Sequence, residues 1–183
     1  MQVIFKSLVF ASEKHKKQKR LDKQGTPYIN HPIGVANLLV ESGITDEVII
    51  QGAILHDTIE DTATTYKELV ENFGQEVADV VMEVSDDGKL PKMERKRLQI
   101  ENAKNLTVKA KHIRLADKLY NLTDICRCVP IGWTVARVQE YFVWAKNVID
   151  GCSNTNAQIE DKLTHLFKTA TFTLGNQSYP CLP

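Results

Sequence analysis

Apolar side chains recur every three or four positions along most of the chain, and the alternation typical of half-buried strands is not sustained anywhere. The first such stretch, residues 2–19, carries Ile4, Leu8, Ala11 and His15 at helical spacing. It therefore predicts an amphipathic first helix. Because the same spacing returns in every later apolar stretch, the pattern predicts an all-α fold.

Start and stop residues divide the rest of the chain into further helices. Thr65 followed by Glu68 has the form of a capping box, and Gly74 ends the helix that this box opens. The predicted helix starts are Pro32, Thr45 or Asp46, Thr65, Gln75, Pro91, Val108, Thr134 and a point shortly before Ile159. The helix that begins at Thr45 or Asp46 is expected to run without a break to Asp61.

Neither an internal repeat nor a linker-like or low-complexity stretch interrupts the chain. We therefore predict one domain, a single helical bundle over residues 1–168. Residues 169–183 lack helical periodicity, and we expect this tail to be irregular and poorly ordered.

The 23 basic residues are balanced by 23 acidic ones, so the formal net charge is zero. A neutral protein has no overall field that would attract nucleic acid or an anionic membrane surface. We therefore expect a small-molecule partner, no nucleic acid and no membrane. An anionic ligand would have to be held by a local cluster of basic side chains.

The four cysteines form no C-x-x-C pair and no zinc-ribbon spacing. Lys6 interrupts the apolar run at the N-terminus, and neither a signal-peptide core nor a membrane-spanning stretch follows. Reduced thiols and a cytoplasmic location are the simplest interpretation.

His31, His56, Asp57 and Asp117 are the candidate chemical groups of this sequence. Two imidazoles and two carboxylates form a mixed nitrogen and oxygen set that suits a divalent metal with open positions for water and a phosphate oxygen. If the third helix continues to Asp61, one helical face carries His56 and three carboxylates, which repel one another unless a cation lies among them.

Structural explanations compete with metal binding at each position. The acidic residues after His56 could form a solvated helix end, and a histidine before a proline is often a cap or a core side chain. Asp117 lies among apolar residues and could pair with Arg114 or Lys118 instead of a metal. Asn121, one turn later, lies on the same face as Asp117.

Longer motifs around these positions resemble a known family. They are residues 25–32 (GTPYINHP), 55–61 (LHDTIED), 91–99 (PKMERKRLQ) and 115–122 (LADKLYNL). A histidine, a His-Asp doublet and a distal aspartate in this order resemble the HD-domain metal phosphohydrolase superfamily. The residues around these positions resemble the hydrolase half of the RelA/SpoT proteins. The short length of the chain and the motif at residues 91–99 resemble the stand-alone metazoan SpoT homologues. The similarity runs from about residue 5 to 168.

The resemblance implies a guanosine-3′,5′-bis(diphosphate) 3′-diphosphatase. Such an enzyme hydrolyses the stringent-response alarmone ppGpp (guanosine 3′-diphosphate 5′-diphosphate) to GDP and pyrophosphate. By position, the two histidines, Asp57 and Asp117 would hold one Mn²⁺ per chain, and Glu60 and Asp61 would position and deprotonate the attacking water. Zinc would also suit these ligand types, so manganese rests on the family alone.

Substrate contacts follow from the same resemblance. The positions that match nucleotide-contacting residues are Arg20, Tyr28, Lys92, Asn121, Arg137 and Tyr141. Basic residues also cluster between Lys89 and Arg97, although a solvated helix face with Glu94 and Glu101 as partners would explain Arg95 to Arg97 equally well. The chain departs from the family's usual residues at Leu21, Gly88 and Thr123, where relatives commonly have basic side chains.

Other functions stay open at this stage. The same site could remove the 2′-phosphate of NADPH or act on another nucleotide as an HD-type phosphohydrolase. A module that senses a nucleotide without cutting it would be expected to lack a ligand or an acid, yet all six positions are present. A helical scaffold would bind no metal.

Overall fold

The computed structural model describes residues 1–182, which form helices together with one small sheet. The helices are α1 (Gln2–Lys14), α2 (Asn30–Glu41), α3 (Glu47–Leu55), α4 (Thr58–Asp61), α5 (Tyr66–Phe73), α6 (Gln75–Val84), α7 (Lys92–Asn102), α8 (Val108–Arg127), α9 (Val135–Asp150) and α10 (Ala157–Thr169). A 3₁₀ turn, Ala103–Asn105, follows α7, and the sheet pairs β1 (Thr171–Leu174) with β2 (Gln177–Pro180). The predicted all-α class is confirmed.

Side-chain caps explain where several helices begin. Asp46 accepts hydrogen bonds from the backbone N–H groups of Val48 and Ile49, at 2.8 and 3.3 Å, and so opens α3. Thr65 caps α5 through the N–H of Glu68 at 3.2 Å. Thr107, Thr134 and Asn156 cap α8, α9 and α10 in the same way. These starts match the sequence prediction closely because each depends on residues within one turn.

Helix α8 is the central element of the bundle. Its residues Ile113, Leu115 and Leu122 are fully buried, and it packs against α2, α3, α6, α9 and α10. Gly34 permits the close approach of α2, because a Cβ at this position would lie 1.9 Å from Cε2 of Tyr120. The arrangement brings the N-terminal turn of α2 and the C-terminal end of α3 beside the middle of α8.

The first helix is shorter than predicted. It ends at Lys14 instead of continuing to residue 19, and the chain then pairs with itself across a loop. The N–H of Arg20 donates to the carbonyl of Thr26 at 2.8 Å, and the N–H of Tyr28 donates to the carbonyl of Gln18 at 3.0 Å. These contacts between segments outweigh the local periodicity, and they carry Arg20 and Tyr28 toward the centre of the molecule.

The prediction of an uninterrupted third helix is wrong. Helix α3 ends at Leu55, and α4 is a separate single turn. Asp57 has φ −94° and ψ −3°, which departs from helical geometry, and the Thr58 hydroxyl donates to the carbonyl of Leu55 at 2.7 Å. The break turns the His56–Asp57 pair toward α2 and α8, so the single acidic face expected from the sequence does not form.

The prediction of an irregular tail is wrong for residues 171–180. Strands β1 and β2 form an antiparallel hairpin in which Phe172 pairs with Tyr179. Phe172 is 1% exposed and stacks on the Tyr179 ring at 5.6 Å between centroids. Gly175, at φ +64°, lies in the turn. The hairpin is stable here because β1 packs on α8, a contact that a short tail does not reveal in sequence.

Among residues 1–182, no helix combines the length and the apolar character needed to cross a membrane.

Candidate metal and substrate site

Four predicted ligand side chains come together from three parts of the fold. His31 lies in the first turn of α2, His56 and Asp57 lie at the break after α3, and Asp117 lies in the middle of α8. Nε2 of His31 and Nε2 of His56 are 3.2 Å apart. The carboxylate oxygens lie 3.1 to 3.7 Å from these nitrogens.

The donor set fits a divalent ion. Two atoms that bind one ion at about 2.1 Å from its centre lie roughly 3.0–3.4 Å apart in octahedral or tetrahedral geometry. The observed separations are close to that range, and the ligand atoms of His31, His56 and Asp117 all lie within 4.8 Å of one another. Asp57 joins the group through its Oδ2, 3.1 Å from Nε2 of His56.

Neighbouring groups hydrogen-bond to two of the four side chains, His56 and Asp117, and orient them. His56 donates through Nδ1 to the carbonyl of Ala53 at 2.7 Å, which leaves Nε2 as the free nitrogen at the cluster. Asn121 donates to Oδ1 of Asp117 at 2.6 Å, and Lys118 donates to Oδ2 of the same carboxylate at 2.9 Å. The ion pair between Asp117 and Lys118 that competed with metal binding is thus present, but it occupies only one oxygen.

Tyr28 contacts both remaining candidate ligands, Asp57 and His31, and Tyr120 contacts His31. The Tyr28 hydroxyl donates to Oδ2 of Asp57 at 2.5 Å. The His31 ring lies 5.7 Å from the Tyr28 ring and 5.1 Å from the Tyr120 ring, both edge to face. Within residues 1–182, the buried Nδ1 of His31 has no hydrogen-bond partner, so this side chain is not a satisfied core histidine.

The charges of the cluster perturb one another. Burial alone would lower the pKa of His56, but the Asp57 and Asp117 carboxylates raise it well above its usual value. Burial would likewise raise the pKa of both aspartates. The imidazoles hold the pKa of Asp57 well below its usual range, and Lys118 and the imidazoles do the same for Asp117. Both carboxylates are therefore ionised at neutral pH and available to a cation.

The two predicted acids occupy different surroundings. Glu60 is half-buried, and its Oε1 accepts the backbone N–H of Asp86 at 2.7 Å. Burial raises the pKa of Glu60 to about 7; the N–H of Asp86 opposes this, while the charges of Asp86 and Asp57 add to it. Asp61 is exposed and accepts a hydrogen bond from Gln18 at 2.8 Å. Of the two, Glu60 has the pKa that suits proton transfer near neutral pH.

A cavity of about 400 Å³ adjoins the cluster. Four predicted substrate contacts line it: Arg20, Tyr28, Asn121 and Tyr141. Tyr28 and Asn121 also hydrogen-bond to the candidate ligands Asp57 and Asp117, so the cavity opens directly beside these side chains. Arg20 donates to Asn121 at 2.9 Å and to Asp124 at 3.0 Å. Leu21, one of the departures from the family pattern, lines the cavity as an exposed apolar side chain.

The other two predicted contacts lie outside this lining. The guanidinium of Arg137 covers the face of Trp133 at 4.4 Å from the ring centroid, and Trp133 itself lines the cavity. Lys92 begins α7 and is exposed. Its positive charge helps to lower the pKa of Lys96, after the larger effect of burial. Arg137 therefore contacts the cavity wall through Trp133, whereas Lys92 does not line the cavity.

Sequence reasoning did not single out Lys96. Its ammonium lies over the rings of Trp144 and Tyr141, at 4.6 and 5.5 Å from their centroids. The spacing of four residues from Lys92 on one helix was the available signal, but it did not separate Lys96 from its basic neighbours. For Arg97 the solvated interpretation holds, because this side chain pairs with Glu94 and Glu101.

Comparisons with known proteins agree with this geometry. A family model described as HD domain matches residues 7–140. The guanosine-3′,5′-bis(diphosphate) 3′-pyrophosphohydrolases of Xenopus tropicalis and Homo sapiens are each 56% identical to the chain over 166 residues, covering 90% of it and 93% of their own length. A solved structure of a metazoan orthologue of SpoT that hydrolyses ppGpp aligns with a TM-score of 0.90 at 47% identity, covering 92% of this chain and 95% of that one.

Proposed function

Because the chain belongs to the HD domain family, we propose that its metal cluster and cavity hydrolyse ppGpp to GDP and pyrophosphate with one Mn²⁺ per chain. The resemblance inferred from the sequence motifs and the predicted HD-type helical bundle are both confirmed. The observation that supports the activity best is the convergence of two imidazoles and two carboxylates beside a cavity, in a chain over half identical to named ppGpp hydrolases.

His31, His56, Asp57 and Asp117 would hold the cation, and the preformed hydrogen bonds to Ala53 and Asn121 would reduce the reorganisation that binding requires. A bound divalent cation supplies a lowered pKa for water and shields the negative charge of the phosphates. Manganese is the metal that the family resemblance favours.

Glu60 is our candidate general base. In the ionised form its carboxylate can accept a proton from the water that attacks the phosphorus bonded to ribose O3′. The bond between that phosphorus and O3′ then breaks, and O3′ takes up a proton and stays on the ribose of GDP as a hydroxyl group. The attacked diphosphate, which has gained the oxygen of the water, is released as pyrophosphate. Asp61, with Gln18 as its partner, would help to position the water.

Substrate binding would use the cavity wall and the basic residues beside it. Arg20 and Asn121 present donors at the wall, and Tyr141 offers an aromatic face. Burial raises the pKa of Tyr28 and of Tyr141, so both stay protonated and can donate hydrogen bonds at neutral pH. Lys92 and Arg137 would reach the phosphates from outside the wall, where a neutral chain needs local positive charge.

We assign the activity to residues 1–168, which contain the candidate ligands and the lining of the cavity, and to the cytoplasm. Four cysteines without a disulfide support a reducing compartment. The partner would be a small nucleotide and not a nucleic acid, in keeping with the equal numbers of acidic and basic residues.

Metal reconstitution tests the proposal. Protein stripped with a chelator is returned to Mn²⁺, Zn²⁺ or Mg²⁺, and the products formed from ppGpp are separated by anion exchange. We expect GDP and pyrophosphate in equal amounts, with Mn²⁺ giving the highest rate. Equal turnover of stripped and reconstituted protein, or release of orthophosphate only, would contradict the proposal.

A further inference from the structure

We propose that Gln99 is a positioning residue that holds Asp86, and through Asp86 the carboxylate of Glu60, in the orientation needed for proton transfer. The inference rests on the proposed function of Glu60 as general base. Neither Gln99 nor Asp86 belongs to the metal cluster or the cavity wall described above.

A chain of hydrogen bonds carries the argument. The side chain of Gln99, on α7, donates through Nε2 to Oδ2 of Asp86 at 2.7 Å. The backbone N–H of Asp86 then donates to Oε1 of Glu60 at 2.7 Å. At the other end, Arg114 donates to Oε1 of Gln99 at 3.3 Å and to the carbonyl of Val84 at 2.8 Å. The Gln99 amide therefore has a donor toward the carboxylate and an acceptor toward the guanidinium, the orientation in which both contacts are favourable.

These hydrogen bonds connect two short segments that have few structural constraints of their own. Glu60 belongs to α4, a helix of a single turn, and Asp86 lies in the irregular segment between α6 and α7. Arg114, on the central helix α8, is only 9% exposed. Arg114 thus connects this series of hydrogen bonds to a tightly packed part of the molecule. Within residues 1–182, no protein group donates to Oε2 of Glu60, so one oxygen is held while the other stays available to water.

The test is a double-mutant cycle. Gln99→Leu should lower kcat on the order of 10–100-fold, since small misplacements of catalytic groups have effects of that size. The KM and the Mn²⁺ stoichiometry should change less than about twofold, because the ligands and the cavity wall are intact. In the Glu60→Gln background, Gln99→Leu should have no further effect, because the group that it positions is already removed.

Gln75→Leu is the matched control. Gln75 makes an equivalent amide-to-carboxylate bond to Asp79 at 2.8 Å, on an exposed part of the surface. Its loss should leave kcat unchanged. Gln99→Asn, which shortens the side chain by one methylene and keeps the amide, should act in the same direction as Gln99→Leu.

Two outcomes would overturn the inference: an unchanged kcat in Gln99→Leu, or an equal loss in the parent and the Glu60→Gln background. Amide hydrogen exchange at Asp86 separates this failure from failure of the proposed function. Faster exchange in Gln99→Leu is expected whatever the substrate, and unchanged exchange would show that Gln99 does not hold Asp86. Kinetics are measured on the nucleotide that the parent protein turns over.

A second, independent observation concerns two thiols that take no part in the hydrogen bonds of Gln99, Asp86 and Glu60. Sγ of Cys126, near the C-terminal end of α8, lies 3.6 Å from Sγ of Cys181, which follows β2. The N–H of Cys181 donates to the carbonyl of Ala170 at 3.0 Å, and Gln139 donates to the carbonyl of Pro180 at 3.1 Å. These two hydrogen bonds fix the backbone at Pro180 and Cys181 and so keep the Cys181 sulfur beside that of Cys126. We infer that the two thiols are a site of reversible disulfide formation by a peroxide.

The oxidation balances in two steps. The half-buried thiol of Cys126 attacks the O–O bond of hydrogen peroxide and forms a sulfenic acid, releasing water. The thiol of Cys181 then displaces the hydroxyl group as a second water and forms the S–S bond. Burial raises the pKa of both thiols, to about 12 for Cys181, so the reaction is slow at neutral pH and accelerates as pH rises.

The disulfide would fasten the hairpin to α8 without altering the cavity. Ile125 and Cys128 line the cavity, whereas Cys126 does not. We therefore expect hydrolysis to continue within about twofold of the reduced rate. The closed loop should raise the Tm on the order of 5–10 °C.

Peptide mapping of peroxide-treated monomer tests this inference. A loss of two hydrogens should map to a peptide pair containing Cys126 and Cys181, and a thiol reductant should reverse both the mass change and the rise in Tm. Cys128→Ser should form the same disulfide and show the same reversible rise in Tm, and Cys181→Ser should show neither change. A disulfide that includes Cys128, a disulfide between two chains, or no disulfide at all would overturn it.

Discussion

Asp117 has each oxygen bound by a different partner. Asn121 donates to Oδ1 and Lys118 to Oδ2, and the oxygen held by Asn121 is the one that lies 3.2 Å from Nε2 of His31. His56 is fixed in a comparable way by Ala53. Such outer contacts set the orientation of a ligand and its affinity for a metal, typically by about 10–100-fold. Loss of a ligand itself should have a larger effect.

Asp57→Asn tests the ligand assignment. The amide keeps the shape of the carboxylate and removes its charge, so Mn²⁺ affinity and turnover should both fall by more than about 100-fold. Titration of metal-stripped protein, with the Mn²⁺-induced rise in Tm as readout, measures the affinity. Asp150→Asn, at an exposed ion pair with Lys146, is the matched control. If the variant binds Mn²⁺ and turns over ppGpp like the parent, Asp57 is not a metal ligand.

Glu60→Gln separates the base from the ligands. Metal content should be unchanged, and kcat should fall on the order of 10²–10⁴-fold, because an amide cannot accept the proton of water. The pH profile gives a second readout. In the parent, kcat should rise with pH as Glu60 ionises, with an apparent pKa of about 7 or lower, since a bound cation favours the carboxylate. In the variant this rise should be absent. Loss of metal from Glu60→Gln would instead make Glu60 a ligand.

The sequence was sufficient to identify the four candidate ligands but not the more distant residues that position the groups around them. His31, the His56–Asp57 pair and Asp117 are recognised by order and local motif. Gln99 is separated from Asp86 by 13 residues and from Arg114 by 15, and nothing in its local sequence marks it. Contacts of this kind depend on how helices pack, which one sequence does not specify at the level of single residues.

Helix α7 presents basic residues with different surroundings. Lys92 lies at its first position, where free backbone N–H groups and the helix dipole also favour an anion. Arg97 is paired with Glu94 and Glu101 on the exposed side of the same helix. The element thus contains both a candidate phosphate contact and its own control.

Lys92→Ala should raise the KM for ppGpp and leave metal content and kcat nearly unchanged. The effect should shrink as the salt concentration rises, because an exposed ammonium acts on phosphate as a screened point charge. Steady-state kinetics at low and high salt measure both trends. Arg97→Ala should show neither. Equal and negligible effects in the two variants would leave Arg20 and Arg137 as the phosphate contacts.

The contact between α2 and α8 links stability to the site. Gly34→Ala would place a Cβ 1.9 Å from the Tyr120 ring, which lies against His31, so Tyr120 has to move. We expect a loss of about 1–3 kcal/mol in the free energy of unfolding, the usual size for overpacking, together with weaker Mn²⁺ binding. Chemical denaturation and metal titration measure the two effects. Gly88→Ala, where a Cβ meets nothing within 4 Å, should change neither. Unaltered metal binding in Gly34→Ala would show that Tyr120 does not support His31.

Element boundaries show where local reasoning fails. The capped starts of α3, α5, α8 and α9 were predicted closely because a cap depends on residues within one turn. The break at His56–Asp57 was not predicted, because helical periodicity continues through it. The hydrogen bond from the Thr58 hydroxyl to the carbonyl of Leu55 cannot be inferred from the pattern of apolar and polar residues. The hairpin of β1 and β2 was missed because its stability comes from packing on α8.

At the scale of the whole molecule, a chain of zero net charge combines a buried anionic cluster with basic and aromatic groups at one cavity. The cluster suits a cation, and the surrounding Arg20, Lys92, Lys96 and Arg137 suit a ligand rich in phosphate. Opposite charges are thus separated within a single site, which is what a metal-dependent reaction on a highly charged nucleotide requires. A 3′-diphosphate and a 2′-phosphate on ribose both present a phosphate ester to such a site, so turnover has to identify the substrate.

Turnover of a matched substrate panel is therefore the most direct test of the account. Protein reconstituted with Mn²⁺ is assayed on ppGpp, NADPH and deoxynucleoside triphosphates under one condition, and kcat/KM is compared, with Asp57→Asn as the background control. We predict the highest kcat/KM for ppGpp, release of pyrophosphate from it, and loss of that activity in Asp57→Asn. A higher kcat/KM for NADPH, or no metal-dependent turnover of ppGpp, would contradict the central claim.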